Sequence, residues 1–493
     1  MIQTIKQKRQ NIEIIVVCLF LFFAVFLFLT QSPLHFWIGE DTDTDSSVFK
    51  TVAMMMNNGY MPYRDSFDHK GPLIYLINFF GMQITAYRGA WVFEFAAVFV
   101  TFAAIYKIAR LFCGRVFSCI SVLASTHLLF NYYVGGNLVE EYAMPFLAVS
   151  LYIYLDYFIN QKITRCRLVI CGLGLGAICM LRPNMLSVWL VFSMAVLIDC
   201  IRRKDWGSIW RFVLFFLLGF CMIVLPIVIW LACNHAFEAF IEDYIIFNFV
   251  YSAAGKGMKW YTFFTFLKTK DLLIVTIITI YLLCRRKNKF LYGTYLVYIF
   301  CTVLLMGMSG RMAPHYGMVL VPMFVFPVAK LLSVFGSEPN AKSFEIVASL
   351  YILSTVLPGW LGLMSNMSII YQNRNEDHHT ELVRSVCQVV MDNTSEEDRI
   401  SVCGSWDIIY LMSDRMHATK YSYLFPVGRM MPSIMDEYFE QLEEEQPKII
   451  VVSEGWLDEN SYRDIYGFLA EYQYEEIWVR KQDSGDIKIY RHE

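Results

Sequence analysis

Long apolar runs recur over the first three quarters of the chain, separated by short polar connections, and the last quarter changes period. Eleven runs read as membrane spans: Ile14–Thr30, Gly89–Ile108, Val116–Asn131, Tyr142–Ile159, Leu168–Leu181, Met185–Cys200, Phe212–Leu231, Leu272–Cys284, Phe290–Met308, Gly317–Phe335 and Phe344–Leu363. Helices satisfy their own backbone groups, so they are the default way for such runs to cross lipid. The stretch Leu73–Ile84 is apolar but too short to span, and reads as a re-entrant or interfacial helix. From about Gln372 the pattern alternates. Asp377–Met391, Met431–Glu445 and Leu457–Glu471 have helical period, whereas Arg399–Cys403, Lys448–Val452, Glu475–Arg480 and Asp486–Arg491 read as strands. The predicted fold class is a polytopic α-helical membrane protein of about 11 spans (1–370), with a small C-terminal extracytoplasmic α/β domain (371–493).

Composition sharpens this division. Of 493 residues, 57% are hydrophobic and only 17% charged, with mean hydropathy +0.45. A soluble chain would approach a quarter charged. The net charge of −3 hides an asymmetry: residues 371–493 carry 25 acids and 12 bases, and the preceding part 19 acids and 29 bases. Those bases are divided among short loops, which excludes a nucleic-acid patch. Thirteen cysteines are scattered with no zinc-type spacing, and in the tail a bridge has only Cys387 and Cys403 to draw on.

The bases also orient the spans. Lys6, Lys8 and Arg9; Lys107, Arg110 and Arg115; Lys162, Arg165 and Arg167; Arg202, Arg203, Lys204 and Arg211; and Arg285, Arg286, Lys287 and Lys289 fall at alternate ends. The positive-inside rule places these in the cytoplasm, with the N-terminus inside, the first run an uncleaved span and the acidic tail outside. The outer face then collects Asp41–Lys70, Asn137–Glu141, Arg182, the Cys233–Lys270 loop and Arg311–His315. Four lysines in that loop (Lys256, Lys259, Lys268, Lys270) run against the rule locally.

The candidate chemistry concentrates in the first outer loop, residues 31–88. Acids beside hydrocarbon are costly, yet Asp41, Asp43 and Asp45 alternate just after the first span. A carboxylate here suits a general base that takes the proton of an acceptor hydroxyl. The same oxygens, Asp43 with Asp45, are the candidate ligands of a divalent cation, and the structural alternative is a helix cap at Asp45 or Ser46. A second polar knot, Asp65-Ser66-Phe67-Asp68-His69-Lys70, closes on Gly71-Pro72. Lys70 suits a lipid-linked phosphate, with His69 orienting Asp68 or the phosphate; headgroup snorkelling is the plain alternative. Arg182 lies between two short apolar runs, where a charge normally faces the bundle interior or a water-filled cavity. Arg311 and His315 open an outer loop. Glu140 and Glu141 open the fourth span, as caps or, for Glu141, as support.

These residues carry a family likeness. The order of span, Asp45-x-x-x-Phe49, Asn58-Gly59-Tyr60-x-Pro62-Tyr63-Arg64-Asp65 and Phe67-Asp68-His69-Lys70-Gly71-Pro72-Leu73 resembles bacterial GT-C glycosyltransferases, in the subgroup related to protein O-mannosyltransferases and the aminoarabinose transferases of lipid A. There an Asp-Glu-x-x-Tyr motif follows the first span and Lys-Pro-Pro-Leu ends the loop. Asp45 to Phe49 and Lys70 to Leu73 hold those places, with Ser46 where the second acid would stand. Gly310-Arg311 through His315-Tyr316 resembles a late outer-loop motif of the group. The resemblance implies a polyprenyl-phosphate sugar donor and a lipid, glycan or protein acceptor on the outer face of a bacterial cytoplasmic membrane. Joined to the reading of the residues, it makes Asp45 the base with Asp43 as its alternate, Asp41 and Asp68 as support, and His69, Lys70, Arg182 and Arg311 as ligands of the donor phosphate. A transporter or flippase of lipid-linked sugars, or a membrane scaffold, would use the same cationic face without chemistry; the inverted repeats that a transporter favours are not evident.

Overall fold

In the computed structural model, residues 2–36, 45–337, 342–372, 380–425, 427–483 and 485–492 are described. Asp41 and Asp43 lie outside them. Among the described residues, seven helices are long and apolar enough to cross a membrane: Asn11–Gln31, Trp91–Arg110, Val139–Asn160, Trp206–Cys233, Lys289–Gly307, Pro314–Leu332 and Ser343–Gln372. The other four expected spans are also helical, but Arg165–Cys179, Ser187–Arg202 and Lys270–Arg285 have 15, 16 and 16 residues. At ~1.5 Å rise per residue these fall short of a hydrocarbon core of ~30 Å. Arg115–Tyr132 reaches 18 residues but dilutes its apolar content with serine, threonine, histidine and asparagine.

The chain groups into two compact units. The first is Met1–Ile38, Trp91–Ile227 and Gly255–Arg374; the second is Gly39–Ala90, Val228–Ala254 and Asn375–Glu493. The charge change near residue 371 therefore marks one of several seams, and the second unit also takes in parts of two earlier loops.

In the first unit, small residues let helices touch along their backbones. A Cβ at Gly172 would sit 1.9 Å from the Phe216 carbonyl oxygen, and one at Gly219 would sit 2.1 Å from that of Val169. Such contacts replace the hydrophobic drive that lipid cannot supply between helices. Polar ties fix other pairs, as where the Asn366 amide donates to the Leu27 carbonyl at 3.1 Å and Arg286 meets Glu345 at 3.1 Å.

The second unit is built on a four-stranded sheet: β1 (Ile400–Cys403), β2 (Ile449–Ser453), β3 (Glu475–Arg480) and β4 (Ile487–Arg491), in the order β1-β2-β4-β3. β1 and β2 are parallel, and the other pairs antiparallel. The continuous apolar runs of β1 and β2 belong to strands covered on both faces. One face packs with Phe67, Phe247, Leu424, Tyr438, Leu442 and Phe468; the other packs with Met54, Val386, Ile409 and Tyr410. Phe67 and Met54 come from the connection after the first span, which is how that stretch is fixed to the sheet. Backbone and side-chain bonds add to this: the Phe67 N–H donates to the Lys420 carbonyl at 2.8 Å, and Ser66 Oγ lies 3.1 Å from His417 Nε2. Cys387 and Cys403 are both free and buried, in opposite face clusters, so the tail has no bridge between them.

Candidate functional site

Asp45 is the first residue of the helix Asp45–Asn57, and it is exposed. A carboxylate in a first turn is favoured by the helix dipole, and its exposure leaves the Asp45 carboxylate accessible. Ser46, in the place of the family's second acid, is buried.

The chain then turns through Tyr63, at φ +69, into the second knot. Asp68 is 2% exposed and lies at the centre of a hydrogen-bonded group. It accepts from the hydroxyls of Tyr75 and Tyr423, each at 2.9 Å, and from the His69 backbone N–H at 2.7 Å. Burial pushes the Asp68 carboxyl up, while Lys70, Tyr75, Tyr423 and the His69 N–H only partly offset it. Burial, and then the charge of Asp68, push the Tyr423 hydroxyl well up, so it stays a proton donor to Asp68.

His69 joins Asp68 to Lys70. Its Nδ1 lies 3.4 Å from Asp68 Oδ1 and 3.3 Å from the Tyr423 hydroxyl, and Lys70 Nζ donates to its Nε2 at 3.0 Å. A lysine amine in its charged form can only donate. Nε2 is therefore the accepting nitrogen, and the ring proton belongs on Nδ1, facing Asp68 and Tyr423. The imidazole stacks on Tyr251 with centroids 5.2 Å apart. The backbone is held as well: Tyr63 and Tyr75 hydroxyls donate to the Lys70 carbonyl at 2.7 and 3.1 Å, and the Asn248 amide donates to the His69 carbonyl at 2.7 Å. Pro72, at the first turn of the helix Pro72–Met82, ends the knot where a missing N–H costs nothing. The result is a half-buried lysine, positioned by the His69 ring and by the bonds on its own carbonyl.

A second polar group belongs to the first unit. Arg182 precedes the turn Pro183–Met185, and its guanidinium pairs with Glu140 and lies 4.1 Å above the Tyr316 ring. Burial alone would lower its pKa; Tyr316 and Glu140 more than reverse this and hold the charge. His315 meets Tyr316 edge-on at 4.8 Å. Arg311 is half-buried, its backbone N–H donating to Ser309 Oγ at 3.3 Å. Thus Arg182, Tyr316 and the start of the fourth span do converge, and His315 meets the group through its neighbour Tyr316. The acid that meets Arg182 is Glu140. Glu141 points into the bundle, fully buried, where it accepts from the Asn137 N–H at 3.0 Å near Glu94.

Sequence reasoning missed Tyr75, Tyr423, Tyr251 and Asn248. The last three lie far along the chain from Asp68 and occur in no motif with it. Among the described residues, no group of three or more His, Cys, Asp or Glu could hold a metal ion. An apolar cleft of about 310 Å³ in the first unit, lined by Phe22, Phe26, His35, Trp91 and Phe95 among others, contains neither polar group.

Comparison places the fold. ArnT from Cupriavidus metallidurans bound to undecaprenyl phosphate superposes with a TM-score of 0.58 at 13% identity, over 96% of this chain and 97% of that one. Its apo state gives a TM-score of 0.58 at 13% identity, over 98% of each chain. The fold is therefore of the GT-C glycosyltransferase type. Residues 5–343 match the family model described as "Putative competence-induced protein Ccs4 N-terminal domain", and the chain belongs to that family. No curated protein sequence matches the chain.

Proposed function

We propose that the protein is a membrane glycosyltransferase that moves a sugar from a polyprenyl-phosphate donor to an acceptor hydroxyl on the outer face of a bacterial cytoplasmic membrane. The observation that carries this reading is Lys70, fixed at the end of the loop by its bond to the His69 ring and by two tyrosine hydroxyls on its carbonyl. Whole-chain likeness in fold to a protein crystallised with undecaprenyl phosphate supports the choice of donor.

Asp45 takes the acceptor's proton. The acceptor oxygen bonds to the anomeric carbon as the bond from that carbon to the phosphate oxygen breaks, with inversion. The polyprenyl phosphate leaves with the electron pair, and Lys70 stabilises its charge. Electrostatic stabilisation at a site of developing charge is commonly the largest catalytic contribution. Arg182 and Arg311 are proposed as further phosphate ligands, Arg182 by exchanging Glu140 for a phosphate oxygen. Asp68 is a positioning residue, since its oxygens are already occupied by three donors.

Undecaprenyl phosphate binding tests the anchor. A ligand that binds only the folded state raises the thermal midpoint by mass action. The wild-type full chain in nanodiscs should gain in midpoint, and Lys70→Gln should lose most of the gain. An equal gain in both proteins would remove Lys70 from the phosphate site.

A further inference from the structure

From Gly255 to Lys270 the chain has no acid and four lysines, a run that the proposed reaction does not use. Within the first unit, this segment forms the turn Lys256–Met258 and the helix Lys259–Leu267. The helix buries Thr262, Phe263 and Phe266. Phe263 covers the end of the span Lys289–Gly307: a Cβ at Gly307 would lie 3.1 Å from that of Phe263, and the Phe263 and Phe300 rings are 5.8 Å apart. Close backbone approach pins the entry as well, since a Cβ at Gly310 would sit 2.2 Å from the Gly255 carbonyl oxygen.

The opposite face is apolar and uncovered. Met258, Trp260, Tyr261 and Phe264 are 51%, 66%, 60% and 49% exposed. Lys256 and Lys268, both exposed, flank it. Tryptophan and tyrosine favour the headgroup level of a bilayer, and the helix lies at the end of a span, where that level falls. An aromatic face with lysines at its borders has the composition of a helix lying in the interface. Lysines there are attracted to anionic headgroups.

We propose that the helix Lys259–Leu267 is an interfacial anchor that selects anionic phospholipid headgroups, with Lys256 and Lys268 as the selecting charges. It fixes the connection between the Trp206–Cys233 span and the later helices to the membrane surface. The lysines that oppose the positive-inside pattern thus contact lipid at this surface, and they act whether or not the transfer reaction proposed above is correct.

The full chain has 11 tryptophans, so Trp260 is isolated by subtracting the emission of a Trp260→Phe variant from that of the wild type. Nanodiscs would contain brominated phosphatidylglycerol in unbrominated phosphatidylcholine, or brominated phosphatidylcholine as control. The Trp260 component should be quenched by both lipids, and by the phosphatidylglycerol at a lower mole fraction, by about fivefold for each selecting lysine. Lys256→Gln with Lys268→Gln should abolish the difference between the lipids while leaving quenching by phosphatidylcholine in place. Arginine at both positions should restore it. No quenching by either lipid would overturn the interfacial placement. Equal quenching by both lipids in the wild type, or a preference that survives the glutamines, would overturn the selection.

Discussion

Lys70 and Arg182 are both cations set among apolar residues, yet their partners differ in kind. Lys70 donates to the His69 imidazole, whose other nitrogen faces Asp68. Arg182 pairs directly with Glu140 and lies over Tyr316. The contact between Lys70 and the His69 ring sets no carboxylate directly against the lysine, whereas the Arg182–Glu140 contact does. An arginine already neutralised must exchange one partner for another, and the attraction to the new one is reduced by the loss of the old. A cation beside these loops is therefore not by itself an anion site; what holds it decides what an incoming anion must displace.

Changes at Lys70, at Glu140 beside Arg182, and at the proposed base Asp45 have separable expected effects. The largest effect is expected from Asp45→Asn, which removes a general base. Turnover should fall by about 10²- to 10⁴-fold, with donor binding retained, and full activity would exclude Asp45. Next is Lys70→Gln, where loss of an electrostatic stabiliser should reduce turnover by about 10²- to 10³-fold. Glu140→Gln should act in the opposite direction on binding. With no ion pair to displace, undecaprenyl phosphate should bind tighter by roughly fivefold, on the scale of a partly exposed ion pair. Weaker binding would show that Glu140 orients Arg182 instead of competing for it.

The smallest effects concern the frame that holds Lys70. Burial pushes His417 down to about 4 and Asp243 up to about 7, the latter against the pull of Lys420 at 3.0 Å. An unfolded histidine titrates near ~6.5 and an aspartate near ~3.9. Between about 4 and ~6.5 the unfolded state binds the histidine proton more tightly, so this contribution is lost on acidification. Asp243 has the opposite sign: the folded state holds its proton up to about 7, so its contribution is lost as pH rises from ~3.9. Thermal midpoints between pH 4 and 6.5 should therefore fall less steeply on acidification in His417→Asn and more steeply in Asp243→Asn.

Much of the fold is legible because it rests on periodicity. The apolar runs Ile449–Ser453 and Ile400–Cys403 can be read as covered strands, and long runs such as Lys289–Gly307 as spans. What escapes is packing by single residues. Phe67 is one aromatic side chain in a polar loop, and nothing local says that it lies beside Phe247, Tyr421 and Tyr423. Hence the sharing of the second unit among three stretches could not be read from charge. The same holds at the site. Asp68, His69 and Lys70 stand together in sequence, but the tyrosine that makes Asp68 a positioning group, Tyr423, lies 355 residues away. Glu140 and Glu141 are adjacent, and only helix phase decides which of them meets Arg182.

Glycosyl transfer by this loop must release polyprenyl phosphate from its donor. The most direct measurement is release of polyprenyl phosphate by the purified full chain incubated with a panel of polyprenyl-phosphate sugars and acceptors, with and without chelator. The prediction is release from at least one donor that Asp45→Asn and Lys70→Gln each suppress. No release from any donor, or release that both variants leave unchanged, would contradict it.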